Sequence, residues 1–366
     1  MLHVIDSLRI GGAEVMLTAL VGELARSGAT RNVVVAGEGG ADPGLLGALR
    51  RDAEAVRLVP LQRIYGVSLP AALLRAIRAH RVDVVHSHLS NANVASRAAA
   101  RLARRPHVTT IHTLPGPTAE DTPIHAALDG WSSHLSARLA CPSTEIADAV
   151  ARAYRVPRRR LVVIPNFAPA RPPGPGFDRG RMRRALLDGA AGPLVVCVAR
   201  LQAEKGIDDL ITATRVLEGD LPGLRVVVAG DGPEAGRLRG EARAVGDVVR
   251  LLGRRDDIGE LLAASDAFCL PSRHEGVPLS MLEAMEAGLP CVVTRVGGIP
   301  DLVGVGTALL VEPRDAPALA GALRRVLTDA PLAASLGAAG RELVEARCSR
   351  GSVAARYAAL YRELSA

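Results

Sequence analysis

The sequence predicts an α/β protein with two doubly wound parallel sheets. Three observations support this fold class: short apolar runs, helical stretches between them, and a proline-rich break near the middle of the 366 residues. Apolar residues make up 48% of the chain and aromatic residues only 2%. The cores must therefore be filled by Val, Leu, Ile and Ala, which suits α/β layers and argues against a protein that stacks nucleic-acid bases.

In the first half, five apolar runs bounded by turn residues are typical of buried parallel strands. Helical stretches separate several of them, and the resulting β-α-β-α order with right-handed crossovers predicts a doubly wound sheet. The strand candidates are Leu2–Ile5, Asn32–Ala36, Val82–His86, His107–Ile111 and Leu161–Ile164, and the helix candidates are Glu14–Ala25, Leu69–Ala79 and Asn91–Ala103.

The second half repeats this scheme and predicts a second sheet. Its strand candidates are Leu194–Val198, Leu224–Ala229, Val248–Leu251, Ala267–Leu270, Cys291–Val293 and Ala308–Val311. The tail from Ala316 to Ala366 has a helical pattern, broken near Pro331 and Gly351.

The Pro/Gly-rich segment between the halves can neither continue a helix nor pair in a central strand. We therefore predict an N-terminal domain at 1–168, a linker at 169–177 and a C-terminal domain at 178–349. A helix at 350–366 is expected to pack back on the first domain. Ligands of open α/β sheets bind beyond the carboxyl ends of the strands, so we expect two domains that face a central cleft.

The cysteine pattern and the chain's first residues bear on location. Five cysteines are widely scattered and form no CxxC pair, which favours a reducing compartment. The apolar run after Met1 stops at Asp6 and has no basic region before it, unlike a signal peptide. No stretch has the apolar length of a membrane span. These features predict a cytoplasmic protein.

Charge is unevenly distributed. The net charge is +7, and residues 1–177 carry 21 Arg against 13 acidic residues. A basic face in the first half would favour weak peripheral association with an anionic membrane surface or an acidic acceptor. The alternative is a solvated surface of an Arg-rich chain. Of the 45 basic residues only Lys205 is a lysine, which suggests that this position needs an ammonium group.

The most informative motif runs from Pro271 to Pro290, directly after a predicted strand. Gly276 and Pro278 form a loop that opens a helix, so Glu275 lies in the loop and Glu283 in the helix. Two carboxylates placed this way can accept hydrogen bonds from the hydroxyl groups of a polyol. Surface charges or helix caps are the alternative for this pair considered alone.

Two cations flank the loop after the strand Leu194–Val198. Arg200 can grip a diphosphate with two N–H groups, and Lys205 can act on it as a point charge. The start of the following helix adds a partial positive charge. Glycine-bearing turns follow two other strands, at Gly230–Pro233 and Gly297–Asp301, where a backbone can approach a ligand or simply turn.

In the first half, Gly11 and Gly12 follow the first strand and open a helix, as in a phosphate-binding loop. The GxGxxG spacing of dinucleotide binders is absent, which disfavours a nicotinamide dehydrogenase. His86, His88 and His112 lie near predicted strand ends, but no Cys or carboxylate completes a zinc set. We therefore expect neither a metal site nor a cofactor.

Together these motifs resemble the retaining glycosyltransferases of the GT-B fold, in the large group 1 or family-four type. The resemblance covers nearly the whole chain and is strongest from Val195 to Val311. It depends on the glutamate pair eight positions apart, the Arg and Lys of the phosphate loop, and a Gly-Gly-x-Pro-acid turn. In that turn Asp301 stands where the family more often has Glu, so its side chain reaches less far.

The resemblance implies two Rossmann-like domains, with the donor held by the C-terminal one. It implies that Glu275 contacts hydroxyls of the donor sugar, Glu283 those of the ribose, and Arg200 and Lys205 the diphosphate. His112 would lie near the transferred sugar. The other implied donor-binding positions are Gly11, Gly12, Gly232, Gly253, Ile258, Gly276 and Val277.

The implied activity is metal-independent transfer of a hexosyl-type sugar from a nucleotide diphosphate sugar, with UDP favoured, to an acceptor bound mainly by the N-terminal domain. We find no second carboxylate placed as a nucleophile, so a diphosphate oxygen is expected to deprotonate the acceptor. A nucleotide-sugar 2-epimerase and a non-catalytic nucleotide-sugar binder are the alternatives. The acceptor stays open among lipid-linked sugars, polysaccharides and small metabolites.

Overall fold

The computed structural model describes residues 1–59, 68–112, 114–115, 123–169, 172–189, 191–217 and 219–365. The chain divides into two compact units. Unit 1 comprises residues 1–169 and 349–366, and unit 2 comprises residues 170–348. Of the predicted linker, residues 170 and 171 lie outside the described residues.

Unit 1 contains a seven-stranded parallel sheet in the order β3-β2-β1-β4-β5-β6-β7. Its strands are β1 Leu2–Ile5, β2 Val33–Gly37, β3 Ala55–Val59, β4 Val85–His88, β5 His107–Thr110, β6 Arg138–Cys141 and β7 Leu161–Val163. Its helices are α1 Gly12–Arg26, α2 Pro43–Asp52, α3 Ser68–Ala79, α4 Ser90–Leu102, α5 Pro123–Ser132, α6 Thr144–Tyr154 and α15 Arg350–Ser365.

Unit 2 contains a six-stranded parallel sheet in the order β10-β9-β8-β11-β12-β13. Its strands are β8 Leu194–Val198, β9 Arg225–Ala229, β10 Val249–Gly253, β11 Ala267–Leu270, β12 Cys291–Thr294 and β13 Leu309–Val311. Its helices are α7 Arg179–Leu186, α8 Ile207–Leu217, α9 Ala235–Ala244, α10 Ile258–Ala264, α11 Leu279–Glu286, α12 Ile299–Leu302, α13 Ala316–Thr328 and α14 Ala330–Arg347.

Local chemistry explains where several helices begin. The side chain of Asp42 accepts hydrogen bonds from the amides of Gly44 and Leu45 at the start of α2. Asp315 and Asp329 act in the same way at the starts of α13 and α14, where Pro occupies an early helical position. Such caps satisfy amide groups that have no partner inside the helix.

The predicted α/β class with two doubly wound sheets is confirmed, because every strand pair between the named strands is parallel and helices connect the strands. Two strands were missed. β3 is an edge strand with Arg57 at its centre, and β6 begins with Arg138, so neither is a continuous apolar run. The observed β4 runs from Val85 to His88, so the prediction Val82–His86 placed this strand too early in the chain.

The C-terminal helix α15 belongs to unit 1 and contacts α1. Its Tyr357 and Tyr361 are fully buried. Among the helices of the described residues, none combines the length and apolarity needed to cross a membrane.

Candidate functional site

The sheet of unit 2 reverses its strand order between β8 and β11. At such a switch point the loops after the two strands leave in opposite directions and open a crevice, where ligands of doubly wound sheets bind. Lys205 lies in the loop after β8, and Glu275 lies in the loop after β11. The two groups predicted from the sequence thus come from the two strands that border the crevice.

Lys205 and Glu275 form an ion pair. The ammonium Nζ lies 2.8 Å from Glu275 Oε1, and the two side chains are only 18% and 8% exposed. Ser272 Oγ donates a second hydrogen bond of 2.6 Å to the same Oε1. Among the described residues no hydrogen bond reaches Glu275 Oε2, and the ammonium uses one of its three hydrogens here. The pair therefore retains both a carboxylate acceptor and cationic donors for a ligand.

Arg273 joins the two loops. Its backbone amide donates to Glu204 O at 2.7 Å, and its guanidinium donates to Asp208 and Asp209 at 2.8 Å each. These two acids lie in the first turn of α8. A planar guanidinium bound to two carboxylates fixes the loop after β11 against the start of α8.

The turn after β12 supports the Glu275 loop from the other side. Gly297 has φ +53°, and a Cβ atom there would lie 1.9 Å from Glu275 O. The amide of Gly298 donates to Gly276 O at 2.9 Å. Only glycine fits position 297, because a side chain would collide with backbone and strain the left-handed conformation. The Gly-Gly turn of the sequence motif therefore holds the loop that carries Glu275.

The turn after β9 packs against the segment that carries Arg200. A Cβ atom at Gly232 would lie 2.4 Å from Leu201 O, and the amide of Leu201 donates to Asp231 O at 3.0 Å. Arg200 itself is exposed. Gly232 therefore permits close approach of two backbones beside the exposed Arg200.

Glu283 is the fifth residue of α11 and is 8% exposed. Glu286, three positions further along, is exposed. Val277 is buried at 3% exposure in the loop before α11. Of the two glutamates in this helix, only Glu283 lies on its buried side.

Gly253 and Ile258 lie further along the same sheet edge. Gly253 ends β10 with φ +72°, and its carbonyl accepts from the amide of Gly230 at 2.8 Å. Ile258 begins α10 and is 5% exposed. β10 is two strands away from β8, which is about 10 Å at the usual strand spacing. These residues therefore lie on the far side of β9 from the loop that carries Lys205.

The sheet of unit 1 reverses its order between β1 and β4. Gly11 is the N-cap of α1 and Gly12 its first residue. His112 follows β5, and its Nε2 lies 3.2 Å from His88 Nδ1. Burial lowers the pKa of His112 to about 4, so this imidazole is neutral near pH 7.

His86 and His88 both lie inside β4, whereas the sequence placed His86 at the end of a strand and His88 just beyond it. His86 Nδ1 is 2.7 Å from Tyr361 Oη, and its Nε2 is 2.7 Å from Thr110 Oγ1. Burial is the first cause that lowers the pKa of both histidines well below the ordinary value. Both are neutral residues of the core, and His86 contacts α15 through Tyr361.

His3, His86 and His88 also form a group whose nitrogens lie within 4.8 Å of one another. A metal ion bound there would have to displace a hydroxyl from His86, because both nitrogens of that ring are engaged. We therefore interpret His86 as a structural contact between the sheet and α15, with His3 bonded to Asn32 and His88 to His112.

Sequence reasoning missed Ser272 and Arg273 as supports of the site. A signal was available in the sequence. Arg273 follows the predicted strand Ala267–Leu270, and Asp208 and Asp209 lie at the start of the helix after the strand Leu194–Val198. The roles of Tyr357 and Tyr361 had no local signal, since they lie more than 240 residues from their partners His86 and Thr110.

Comparison with known proteins identifies two matching families. Residues 178–343 match the family described as glycosyl transferases group 1, and residues 10–170 match glycosyltransferase family 4. Together the two matches cover most of both units.

Two curated relatives have similar sequences. The chain is 31% identical over 271 residues to UDP-Gal:alpha-D-GlcNAc-diphosphoundecaprenol alpha-1,3-galactosyltransferase of Escherichia coli, covering 70% of each protein. It is 30% identical over 351 residues to 2-deoxystreptamine N-acetyl-D-glucosaminyltransferase of Streptomyces fradiae, covering 88% of this chain and 83% of that protein.

The fold is also similar to that of HepE from Anabaena, solved in complex with UDP-glucose. The TM-score is 0.86, with 21% sequence identity and 99% of each chain covered. The fold is thus the GT-B fold, as the sequence motifs predict. The chain belongs to the group 1 glycosyltransferases and is a glycosyltransferase of the GT-B type.

Proposed function

We propose that this glycosyltransferase moves a hexosyl-type sugar from a UDP-sugar to an acceptor hydroxyl, with retention at the anomeric carbon and without a metal ion. The observation that carries the proposal is the partly buried ion pair of Lys205 and Glu275 at the switch point of unit 2. It combines a cation for a diphosphate with a carboxylate for sugar hydroxyls. The UDP-glucose bound by HepE and the UDP-Gal in the name of the E. coli relative support the choice of donor.

In this proposal Lys205 and Arg200 bind the diphosphate. The Lys205 ammonium has two hydrogens beyond its bond to Glu275, and Arg200 is exposed at the end of β8. As the bond to the sugar breaks, negative charge grows on the leaving diphosphate. Cations already held in place by the protein stabilise that charge with little reorganisation.

The two glutamates bind different parts of the donor. Glu275 Oε2 accepts hydrogen bonds from hydroxyls of the transferred sugar, while Oε1 stays with Lys205 and Ser272. Glu283 accepts from the ribose hydroxyls, and Gly253 and Ile258 lie along the path to the base. Two rigidly held carboxylates orient the donor, and orientation lowers the barrier to transfer.

In the proposed reaction no side chain of the enzyme bonds to the sugar. The bond from the anomeric carbon to the diphosphate oxygen breaks, and the acceptor oxygen bonds to that carbon on the same face. The acceptor proton passes to an oxygen of the departing diphosphate. Contacts of Gly11, Gly12 and His112 with the donor stay predictions.

A nucleotide-release screen tests the function. UDP-, GDP-, ADP- and dTDP-sugars are incubated with and without acceptor pools, and the anomeric configuration of each product is read by NMR. We expect release of UDP that increases with acceptor, and a product with the anomeric configuration of the donor. Preference for GDP-sugars or an inverted product would overturn the corresponding part of the proposal.

The metal-independent part is tested with a chelator. We expect transfer rates to be unchanged in excess EDTA. Loss of activity that is restored by magnesium or manganese would show that a divalent ion takes part.

A further inference from the structure

The single tryptophan of the chain is largely exposed. Trp131 lies near the end of α5 and is 73% exposed. Ile124, seven residues earlier, is 67% exposed, and Leu135 in the following 3-10 turn is 41% exposed. Residues seven apart share one face of a helix. Ile124 and Trp131 thus share the outer side of α5, and Leu135 follows in the turn after it.

The inner side of α5 is firmly packed, so this orientation is fixed. The fully buried Arg97 of α4 donates to Asp129 Oδ1 at 2.7 Å and to Ser132 Oγ at 2.8 Å. A Cβ atom at Gly130 would lie 3.0 Å from the ring of Tyr154 in α6. Since α4 and α6 occupy the inner side, rotation of α5 cannot bury Trp131.

A basic segment borders the apolar residues. His134 Nε2 lies 3.0 Å from Tyr154 O, and Arg160 Nη1 donates to His134 O at 2.7 Å. These contacts hold the segment 154–160 beside the end of α5. Arg155 and Arg159 in that segment are exposed.

Few acidic residues offset this charge. Residues 123–160 contain six arginines and three acids. Asp129 is buried against Arg97, and Asp148 pairs with Arg158 at 3.1 Å. The third acid, Glu145, is exposed, and the segment 123–160 carries a net charge of +3.

We propose that this region, the Trp131 surface, docks unit 1 on an anionic phospholipid bilayer. We define it as Ile124, Trp131 and Leu135 with Arg155, Arg159 and Arg160. Tryptophan and aliphatic side chains enter the interface between headgroups and acyl chains, while arginines bind lipid phosphates. A second copy fits less well, because a symmetric contact would bring two basic surfaces together.

The native protein tests this directly, because Trp131 is its only source of tryptophan fluorescence. The probes are vesicles of pure phosphatidylcholine and vesicles containing about one third phosphatidylglycerol. We expect emission to shift to shorter wavelength with the anionic vesicles alone, and the shift to be reversed by high salt. No donor is added, so the result is independent of the proposed transfer activity.

Variants then identify the surface by vesicle sedimentation. Trp131→Ala is expected to weaken binding by about tenfold, and the double change Arg155→Gln and Arg159→Gln by a similar factor. The matched control is Val305→Ala, since Val305 is a fully exposed apolar residue of unit 2. It should bind like the wild type. Circular dichroism melting confirms that each variant is folded.

Three results would overturn the proposal. One is an unchanged emission spectrum with anionic vesicles. Another is equal binding of the Trp131→Ala protein and the wild type. The third is an emission shift that appears without vesicles as protein concentration rises, together with a dimer in light scattering. That last result would assign the surface to a second copy.

Discussion

The two units contain similar sheets but bury their titratable groups in different places. In unit 1, neutral histidines lie inside the sheet and meet hydroxyls of α15, as His86 does with Tyr361. In unit 2, the core strands are apolar, and the partly buried charges lie in the loops at the switch point, as Lys205 and Glu275 do.

This difference shows that burial alone does not identify a ligand site. In unit 1, His86 bonds Tyr361 and Thr110 through its two ring nitrogens and so makes a fixed structural contact. The ion pair of unit 2 keeps hydrogen-bonding capacity at Glu275 Oε2 and at the Lys205 ammonium. Substitutions at the histidine–tyrosine contacts of unit 1 should therefore alter stability. Substitutions at the ion pair of unit 2 should alter ligand binding and turnover.

The largest effect is expected from Tyr361→Ala. It removes a buried aromatic ring from the contact between α15 and the sheet, and such truncations cost about 3–5 kcal/mol of unfolding free energy. Hydrogen-exchange mass spectrometry should show faster exchange in β4 and α15, with β8 and β11 unchanged. Tyr361→Phe, the control, should cost about 1–3 kcal/mol because it only leaves His86 without its hydroxyl partner. Equal exchange in both units would contradict the comparison.

The glutamates should separate binding from turnover. Glu283→Ala is expected to weaken binding of UDP by about 1.5–3 kcal/mol, the range for a hydrogen bond to a charged group. Glu275→Ala should spare UDP but lower turnover with the intact donor. Calorimetry with UDP and steady-state kinetics distinguish the two. The exposed Glu286, on the same helix, provides the control Glu286→Ala, which should leave both unchanged. A reversed pattern would exchange the two assignments.

Acid should weaken unit 1 before unit 2. Burial lowers the pKa of His3 to about 3 and that of His112 to about 4, against 6.5 for an ordinary histidine. Below pH 6.5 the unfolded chain therefore binds more protons than the folded one. Stability is complete above that pH and falls as the pH drops, by up to about 1.4 kcal/mol per pH unit for each such histidine.

The measurement is hydrogen exchange between pH 6.5 and 5, corrected for the intrinsic effect of pH. Peptides of β1 and β4 should lose protection, while those of β8 and β11 should change less, since unit 2 contains a single histidine, His274. Equal loss in both units would show that the histidine network does not set the acid response.

Much of this structure follows from local patterns in the sequence. Buried parallel strands such as β1, β8 and β11 are continuous apolar runs, and their predicted bounds match the structure. The bounds of β4 were predicted too early in the chain because the strand ends in polar residues. These residues are nevertheless buried, and His86 contacts Tyr361 of α15. No local pattern predicts that contact, because its two partners lie far apart in the chain.

Local sequence patterns also predicted the residues of the site in unit 2. Lys205 and Glu275 lie 70 residues apart, but each directly follows a recognisable strand, and the doubly wound order brings those two strands together. Their direct ion pair was not predicted, since the sequence assigned the two groups to different parts of a donor. Side-chain contacts depend on loop conformations that Gly206 and Gly297 permit through backbone approach.

We propose that the switch-point pair of unit 2 holds the donor, and Lys205→Arg is the variant that tests this. The variant keeps the charge, and the chain uses arginine at every other basic position. A wider planar guanidinium cannot occupy the same point 2.8 Å from Glu275 and also contact the diphosphate in the same geometry. The exposed Arg295, paired with Glu312, supplies the control Arg295→Lys.

Steady-state turnover with the UDP-sugar is measured for wild type, Lys205→Arg and Arg295→Lys, after melting curves show that all three are folded. We expect at least a tenfold loss of turnover for Lys205→Arg, which is about 1.4 kcal/mol of transition-state stabilisation. The control Arg295→Lys should lose no turnover. Wild-type turnover in the Lys205→Arg protein would contradict the proposed contact of Lys205 with the diphosphate. The ion pair with Glu275 would then be a structural contact only.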